Sequence, residues 1–176
     1  DLNLKGVEAH AGPTPMHLRK DALVGASAVV AAVNRVALEH QPHACGTVGC
    51  LQAYPGSRNV IPGQVHMTID LRHLHADKLQ AMVDEVRGVI DATALRHGLS
   101  VELTPTADFP PLDFHPACVN AVREGAEALG LSHMDIVSGA GHDAIHLARH
   151  CPTTMVFIPC VGGLSHNEAE DALPND

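Results

Sequence analysis

The chain has 176 residues, of which 45% are hydrophobic and 18% charged, so it is long enough and apolar enough to bury a core. Trp is absent, and there are only one Tyr and three Phe, which argues against the aromatic stacking platforms of nucleic-acid-binding proteins. The net charge of −9, with scattered basic residues, also argues against binding to a phosphate backbone.

The numbers of His and Cys residues further narrow the functional class of the protein and its compartment. The chain has 14 His, and imidazole is both the commonest metal ligand and the usual acid–base group, so a metal or catalytic site is expected. The five Cys form no C-x-x-C pair and there is no secretory signal, which fits a cytoplasmic protein. No apolar run approaches the roughly 20 residues of a membrane helix, so no membrane contact is expected.

Alternation and helical spacing of apolar residues predict the elements of the first hundred residues. Strands are expected at residues 2–8, 46–53, 65–71 and 99–103. Helices are expected from His17 to about Glu39, and from an N-cap at Asp77 to a C-cap at Gly98. The order β-α-β-β-α-β is the ferredoxin-like pattern, a four-stranded antiparallel sheet with both helices on one face. We therefore assign residues 1–106 to one ferredoxin-like domain, which ends in a Pro-rich linker at residues 104–111.

The pattern changes after the linker. Helices are expected at about 116–129 and 142–150, and strands at Met134–Val137 and Thr154–Pro159. Two strands separated by a helix imply a right-handed parallel crossover, and a parallel sheet needs cover on both faces. Two strands and two helices are too few to provide it, so residues 107–176 are expected to be an incomplete portion of a larger α/β domain. The chain also begins at Asp1 without Met, which indicates an excised piece.

Two polar loops follow the two strands predicted in this second half. One is Ser138-Gly139-Ala140-Gly141-His142-Asp143, and the other is Ser165-His166-Asn167-Glu168. Ligands bind beyond the carboxyl ends of the strands in open α/β sheets, so the two loops are expected to converge on a site. An isolated His after a strand is otherwise more often a structural or solvated residue.

Four motifs in order along the chain carry a family resemblance that spans nearly its whole length. They are Ala9-His10-Ala11-Gly12-Pro13-Thr14-Pro15-Met16 with Arg19, then Arg58-Asn59-Val60-Ile61-Pro62-Gly63 with Asp70-Leu71-Arg72, then the two polar loops. Together they resemble the hydantoinase/carbamoylase group of metal-dependent amidohydrolases, which is related to the M20 peptidases. The resemblance implies hydrolysis of an N-carbamoyl or ureido group, as in N-carbamoyl-L-amino-acid hydrolases and allantoate amidohydrolases. It also implies a ferredoxin-like lid that forms a homodimer interface.

The resemblance further implies a cofactor of two divalent metal ions, zinc or manganese, in a complete active site. His166 corresponds to the last metal ligand of the family, and imidazole suits a borderline metal that lowers the pKa of an attacking water. The family's other ligands and its general base lie on an amino-terminal segment that carries a His-x-Asp motif, and no such segment is present here. We therefore expect this chain alone to be inactive and unable to assemble the two-metal centre.

Roles for five other residues are implied in the same way. Arg72 matches an Arg that holds the substrate carboxylate, which a planar guanidinium grips through both oxygens, and Asn59 matches an Asn at the same end of the substrate. His10 matches a His that reaches the partner subunit's active site and stabilises the oxyanion. Gly141 and His142 match residues near the carboxylate end. Without the motifs, we would interpret Arg72 as a surface Arg and Asn59 as a turn Asn. We would interpret His10 as a loop His and His142 as a helix-terminal His.

Two other functions stay open at this point. An M20-type aminoacylase or dipeptidase is the nearest enzyme alternative, and the combination of Asn59 with Arg72 favours ureido substrates over it. A non-catalytic dimerisation module of ferredoxin-like type is the alternative from another functional class.

Overall fold

The structure is a computed structural model and describes residues 1–173. It divides the chain into two compact units, residues 1–111 and the residues from 112 onward. The division falls at the end of the Pro-rich segment predicted as a linker, beyond the predicted domain boundary at residue 106. The assignment of the two units to a lid and to part of a catalytic domain stays a prediction.

The first unit is an antiparallel sheet with two long helices. Its elements are β1 (Leu2–Lys5), β2 (Ala9–His10), α1 (Ala22–Glu39), β3 (Cys45–Tyr54), β4 (Val60–Ile61), β5 (Gln64–Arg72), α2 (Ala76–His97) and β6 (Ser100–Leu103). The main sheet has the order β3-β5-β1-β6, and each neighbouring pair is antiparallel. This confirms the ferredoxin-like prediction, because β1, β3, β5 and β6 are the four predicted strands.

The core of this unit lies between the sheet and the two helices. Side chains alternate along the strands, so Leu4 of β1 and Met67 of β5 fall on the same buried side and are fully buried. α1 and α2 contribute Val33 and Ile90 to the same hydrophobic cluster. Burial of each such side chain contributes about 1.5–3 kcal/mol, so aliphatic packing can hold the unit together without aromatic residues.

α1 corrects one expectation from the sequence. It is 18 residues long with a mean hydropathy of 1.5, which by length and composition alone is enough to span a membrane. The statement that no apolar run approaches that length was therefore wrong. The apolar composition has a packing explanation, because 44% of the helix is buried inside the unit, as expected for a core helix.

The start of α1 also differs from the prediction, which placed it at His17. Residues 16–18 form only a short 3₁₀ turn, and α1 begins at Ala22. The reason is the cap, since the Asp21 carboxylate accepts hydrogen bonds from the backbone N–H groups of Leu23 and Val24. Such a cap satisfies donors that have no partner within the helix and fixes where the helix starts.

α2 begins one residue after His75, so the prediction of Asp77 as its N-cap was wrong. Asp77 instead lies in the first turn, where a negative charge is favourable next to the positive end of the helix dipole. The other end was predicted correctly. Gly98 is the C-cap and has a φ of 62°, a left-handed conformation that glycine adopts at little cost.

A small second sheet lies beside the main one. The strand predicted over residues 2–8 ends at Lys5, and the chain pairs again only at β2, which is antiparallel to β4. His10 lies opposite Val60 in this pairing. Strands of two residues carry no readable periodicity, so the sequence could not predict them.

The second unit contains the two predicted helices, shortened to α3 (Pro116–Ala128) and α4 (Asp143–Ala148), and a 3₁₀ turn at Val161–Gly163. The strands predicted at 134–137 and 154–159 are absent from this part of the structure, and that prediction was wrong. A strand exists only when its backbone groups pair with a neighbouring strand, and these segments have no such neighbour among residues 112–173. Their apolar side chains are accordingly exposed, including Ile136, Val156 and Ile158.

Candidate functional site

His10 and Asn59 are brought together by the small sheet. His10 ends β2, Asn59 immediately precedes β4, and the Ala11 N–H donates to the Asn59 carbonyl oxygen at 2.8 Å. Both residues are exposed. Two of the residues singled out by the motifs, which are far apart in sequence, therefore share one surface.

The imidazole of His10 is held in a defined state by the loop that follows it. The Gly12 N–H donates to His10 Nδ1 at 3.0 Å. Because a backbone N–H can only donate, Nδ1 must be the acceptor, and the neutral ring then carries its proton on Nε2. The ring can thus present an Nε2–H donor, which is the group that an oxyanion would need.

The Asn59 side chain is oriented by a neighbour in its own loop. The Ser57 hydroxyl donates to Asn59 Oδ1 at 2.8 Å. With the amide oxygen engaged as an acceptor, the NH₂ group is the end of the side chain that can donate to a ligand. His10 and Asn59 therefore offer two hydrogen-bond donors on the same surface.

Arg72 ends β5 and forms a two-bond pair with Asp70. Arg72 Nε lies 2.9 Å from Asp70 Oδ1, and Arg72 Nη2 lies 2.6 Å from Asp70 Oδ2. Residues two apart on a strand share one face, which is why they meet. The hydrogen bond from Arg72, with its charge, lowers the pKa of Asp70 against the opposing effect of burial, and the same bond raises the pKa of Arg72. Both side chains are about half exposed, so the pair orients the guanidinium more than it stabilises the fold.

Arg72 and the His10–Asn59 pair lie at different ends of β5. Asn59 precedes β4, which leads into the first residue of β5, whereas Arg72 is its last residue. A strand rises about 3.3 Å per residue, so the ends of β5 are about 26 Å apart. Asn59 and Arg72 of one chain are therefore not neighbours. Their predicted shared role at the carboxylate end of the substrate would need residues from two copies of the chain, and it stays a prediction.

In the second unit, His142 is the N-cap residue of α4. Its Nε2 lies 3.1 Å from the Ser138 hydroxyl, and its ring makes an edge contact with the Phe157 ring at a centroid distance of 5.6 Å. Gly141, next to it, is exposed, and no atom of the described residues beyond its chain neighbours lies within 4 Å of where a Cβ would be. Packing within residues 1–173 therefore does not require glycine at this position.

His166 is exposed and has a φ of 54°. A non-glycine residue in this left-handed region is uncommon, and such conformations cost roughly 1 kcal/mol or more and are frequent at functional sites. A side chain four residues later supports this conformation, since the His166 N–H donates to a Glu170 carboxylate oxygen at 2.7 Å.

The donor chemistry at His166 fits one metal ligand but not a complete centre. Across residues 1–173, no group of three or more His, Cys, Asp or Glu side chains is arranged to hold a metal ion. A zinc site in proteins needs at least three protein ligands. His166 can therefore be one ligand of a centre whose other ligands lie elsewhere than in the described residues.

Two contacts of the candidate residues were not predicted from the sequence. Asp70 was only part of a motif, yet it orients Arg72, and the i, i+2 spacing on a predicted strand could have indicated this contact. Gly12 was also only part of a motif, yet its N–H fixes the ring of His10. No periodicity marks a loop contact of that kind.

Comparison with known proteins decides the family. The sequence-family model of peptidase family M20/M25/M40 matches residues 5–176, which is nearly the whole chain. The chain belongs to this family. The resemblance drawn from the four motifs is thereby confirmed, and so is the α/β fold class.

Several proteins similar to the chain are named amidohydrolases. The chain is 45% identical over 171 residues to an N-carbamoyl-L-amino-acid amidohydrolase of Rhizobium meliloti, which covers 97% of the chain and 41% of that protein. It is 33% identical over 169 residues to an allantoate amidohydrolase of Bacillus subtilis, covering 96% of the chain and 41% of that protein. A crystal structure of a hydantoinase/carbamoylase family amidase from Burkholderia vietnamiensis superposes with a TM-score of 0.96 at 52% identity, covering 99% of the chain and 42% of that structure. The chain thus spans about two fifths of the length of these relatives.

Proposed function

We propose that an enzyme containing this chain hydrolyses the C–N bond of N-carbamoyl-L-amino acids or related ureido acids such as allantoate. With one water, an N-carbamoyl amino acid gives the free amino acid, CO₂ and ammonia. The observation that carries the proposal is the 45% identity, over nearly the whole chain, to a protein named for this activity. The side chains at the candidate site supply some of the groups that such a reaction needs, namely a guanidinium for a carboxylate, hydrogen-bond donors and one potential metal ligand.

Arg72 is proposed to bind the carboxylate that every N-carbamoyl amino acid carries. Its guanidinium is planar and suited to two parallel hydrogen bonds to a carboxylate. Asp70 holds this plane in one orientation before substrate arrives, which reduces the entropy lost on binding. Gly141 and His142 are proposed to lie near the same end of the substrate, with His142 kept in place by Ser138 and Phe157.

His10 is proposed to act on the carbamoyl group, and Asn59 is proposed to help hold the carboxylate end of the same substrate. The Nε2–H of His10 can donate to the oxyanion of the tetrahedral intermediate, and one such donor can lower the barrier by about 3 kcal/mol. The Asn59 amide can donate to the substrate carboxylate. Since β5 separates this pair from Arg72, we propose that in a homodimer the His10–Asn59 pair of each lid serves the other subunit's active site.

The homodimer is proposed to form through β3, the edge strand of the main sheet. Its outer side has no strand partner in the described part of the chain, and exposed edges of this length are templates for pairing with a second copy. Leu51 on β3 is 40% exposed and offers an apolar contact. Sedimentation velocity should show a dimer that Leu51→Asp weakens, whereas Leu95→Asp on α2, where the side chain is 88% exposed, should leave it intact. A monomeric unmodified protein would refute this arrangement.

His166 is proposed to be one ligand of a centre of two divalent metal ions, zinc or manganese. Such ions, when bound, lower the pKa of a water so that it can attack the carbamoyl carbon at neutral pH. The exposed imidazole is a ligand that suits zinc, whereas manganese prefers oxygen ligands. In this scheme residues 1–106 are the lid and dimerisation domain, and residues 107–176 belong to the catalytic domain.

The assay that tests this function compares substrate classes in an enzyme of full family length that contains this chain. We expect hydrolysis of N-carbamoyl-L-amino acids or allantoate and much slower turnover of N-acetyl amino acids and dipeptides. Faster turnover of the acetyl or peptide substrates would support the aminoacylase or dipeptidase alternative. No turnover of any of them, with a stable dimer, would support a non-catalytic module.

The remaining proposals concern location and partners. All five cysteines are free, which fits a cytoplasmic protein. The proposed ligand is a small ureido acid, and the scattered basic residues give no reason to propose nucleic acid as a partner.

A further inference from the structure

Arg19 makes three hydrogen bonds to the loop that follows His10. Its Nη2 donates to the carbonyl oxygens of Ala11 at 2.7 Å and Thr14 at 2.9 Å, and its Nε donates to Thr14 at 3.1 Å. The side chain is half-buried, and bonds from a charged donor are about twice as strong as neutral ones. The guanidinium therefore ties together both ends of the turn formed by residues 11–14.

This turn contacts both members of the His10–Asn59 pair. The Gly12 N–H, inside the turn, donates to His10 Nδ1 at 3.0 Å, and the Ala11 N–H donates to the Asn59 carbonyl at 2.8 Å. A Cβ placed on Gly12 would lie 3.4 Å from both Cε1 and Nδ1 of His10. The Gly12 backbone thus lies directly against the imidazole, and a shift of the turn would move the ring.

We propose that Arg19 is a positioning residue for His10 and Asn59. By fixing the turn, it keeps the Gly12 N–H on Nδ1, which holds the neutral ring with its proton on Nε2 and limits its rotation. It also keeps the Ala11 N–H on Asn59, so the two donors stay side by side. The effect on the hydrogen bonds stands by itself, whereas its catalytic consequence rests on the proposed function.

The hydrogen bond at the centre of the proposal can be observed directly by NMR on the uniformly ¹⁵N-labelled protein. A scalar coupling through the hydrogen bond should connect the Gly12 amide nitrogen to His10 Nδ1, at a pH well above the ordinary histidine pKa of about 6.5. His10→Gln assigns the imidazole signals. In the unmodified protein, the Arg19 Nε–H should exchange slowly with water because it donates to Thr14. Both measurements use the unmodified protein. Rapid exchange of the Arg19 Nε–H with water, or the absence of a coupling between Gly12 and His10, would overturn the proposal.

Substitution of Arg19 then distinguishes a role in positioning His10 from a general contribution to the stability of the fold. Arg19→Ala should abolish the Gly12–His10 coupling, whereas Arg35→Ala, which removes an exposed Arg of α1 paired with Glu39, should retain it. Arg19→Lys keeps the charge but lacks the two donor nitrogens that span Ala11 and Thr14, so it should also lose the coupling. Retention of the coupling in Arg19→Ala or Arg19→Lys would overturn the proposed role of the guanidinium. Unchanged amide signals from Leu4 and Val65 would show that the main sheet stays folded.

Kinetics of an enzyme of full family length that contains this chain tests the catalytic consequence. Arg19→Ala should lower kcat by about tenfold to a hundredfold and change KM less than about threefold, because an oxyanion donor acts in the transition state. A rise in KM alone would contradict the assignment to the His10 donor. If the unmodified enzyme does not hydrolyse ureido acids, the proposed function fails, while the NMR result on Arg19 is still decisive.

Discussion

Removal of the Arg72 guanidinium is the sharpest test of how the substrate is held. Arg72→Ala, in an enzyme of full family length that contains this chain, should raise KM for N-carbamoyl amino acids and leave kcat nearly unchanged. The reason is that the substrate carboxylate takes no part in the bond cleavage, so it is held equally in the ground and transition states. The side chain is about half exposed at the end of β5, so its loss leaves no cavity in the core.

The size of the effect follows from the contacts of Arg72. A hydrogen bond to a charged group contributes about 1.5–3 kcal/mol, and a loss of about 2 kcal/mol corresponds to roughly a 30-fold rise in KM. The free energy of unfolding should fall by less than about 1 kcal/mol, because the broken pair with Asp70 is half exposed. Asp70→Asn keeps the guanidinium but releases its orientation, so it should raise KM by less than about tenfold.

Steady-state kinetics measures the change in KM, and urea denaturation measures the change in the free energy of unfolding. Arg35→Ala is the matched control, since it also removes a surface Arg that pairs with an acidic residue, and it should leave KM unchanged. If Arg72→Ala has the KM of the unmodified enzyme, Arg72 does not bind the carboxylate. A fall in kcat with constant KM would instead assign Arg72 to the transition state.

Three further predictions concern the stability of the first unit and are measured by urea denaturation. Leu4→Ala should lower the free energy of unfolding by about 3 kcal/mol because the side chain is fully buried, whereas Leu95→Ala at an exposed position should cost less than about 1 kcal/mol. Gly46→Ala should destabilise the unit, since its Cβ would lie 2.9 Å from atoms of α1, but Gly88→Ala has open space in a helix and should stabilise it by about 0.5–1 kcal/mol. The Asp70 pKa is lowered in the folded state, so its contribution is present above about pH 3.9 and is lost as pH falls through the folded pKa. The stability difference between the unmodified protein and Asp70→Asn should therefore vanish in acid, and a difference that persists there would contradict the ion pair.

The first unit could be predicted from the sequence because its information is local. β5 alternates buried and less buried residues, and both helices repeat their apolar residues on one face, so each element is legible without knowledge of its neighbours. The start of α1 was misplaced because capping is a single side-chain contact, and the Asp21 carboxylate outweighed the apolar pattern that begins at His17.

The strands predicted in the second unit were wrong for the opposite reason, because a strand depends on more than local sequence. The segments 134–137 and 154–159 have the composition of buried strands, but a strand depends on backbone partners that composition does not reveal.

In the first unit, the proximity of His10 and Asn59 could not be predicted either, because it depends on two strands of two residues each. The pairing of Asp70 with Arg72 lay within reach, since both the strand and the spacing were predicted.

In the first unit, the candidate functional side chains are different residues from those that form the stabilising core. His10, Asn59 and Arg72 are exposed at the margins of the sheet, while the core is formed by other residues. Substitutions at exposed positions usually change stability by less than about 0.5 kcal/mol, so lost activity in variants of these three residues would report on chemistry. Arg19 differs, because its removal leaves two carbonyl oxygens without their charged donor. Its variants therefore need a structural measurement beside the kinetic one, and the contact between Gly12 and His10 provides it.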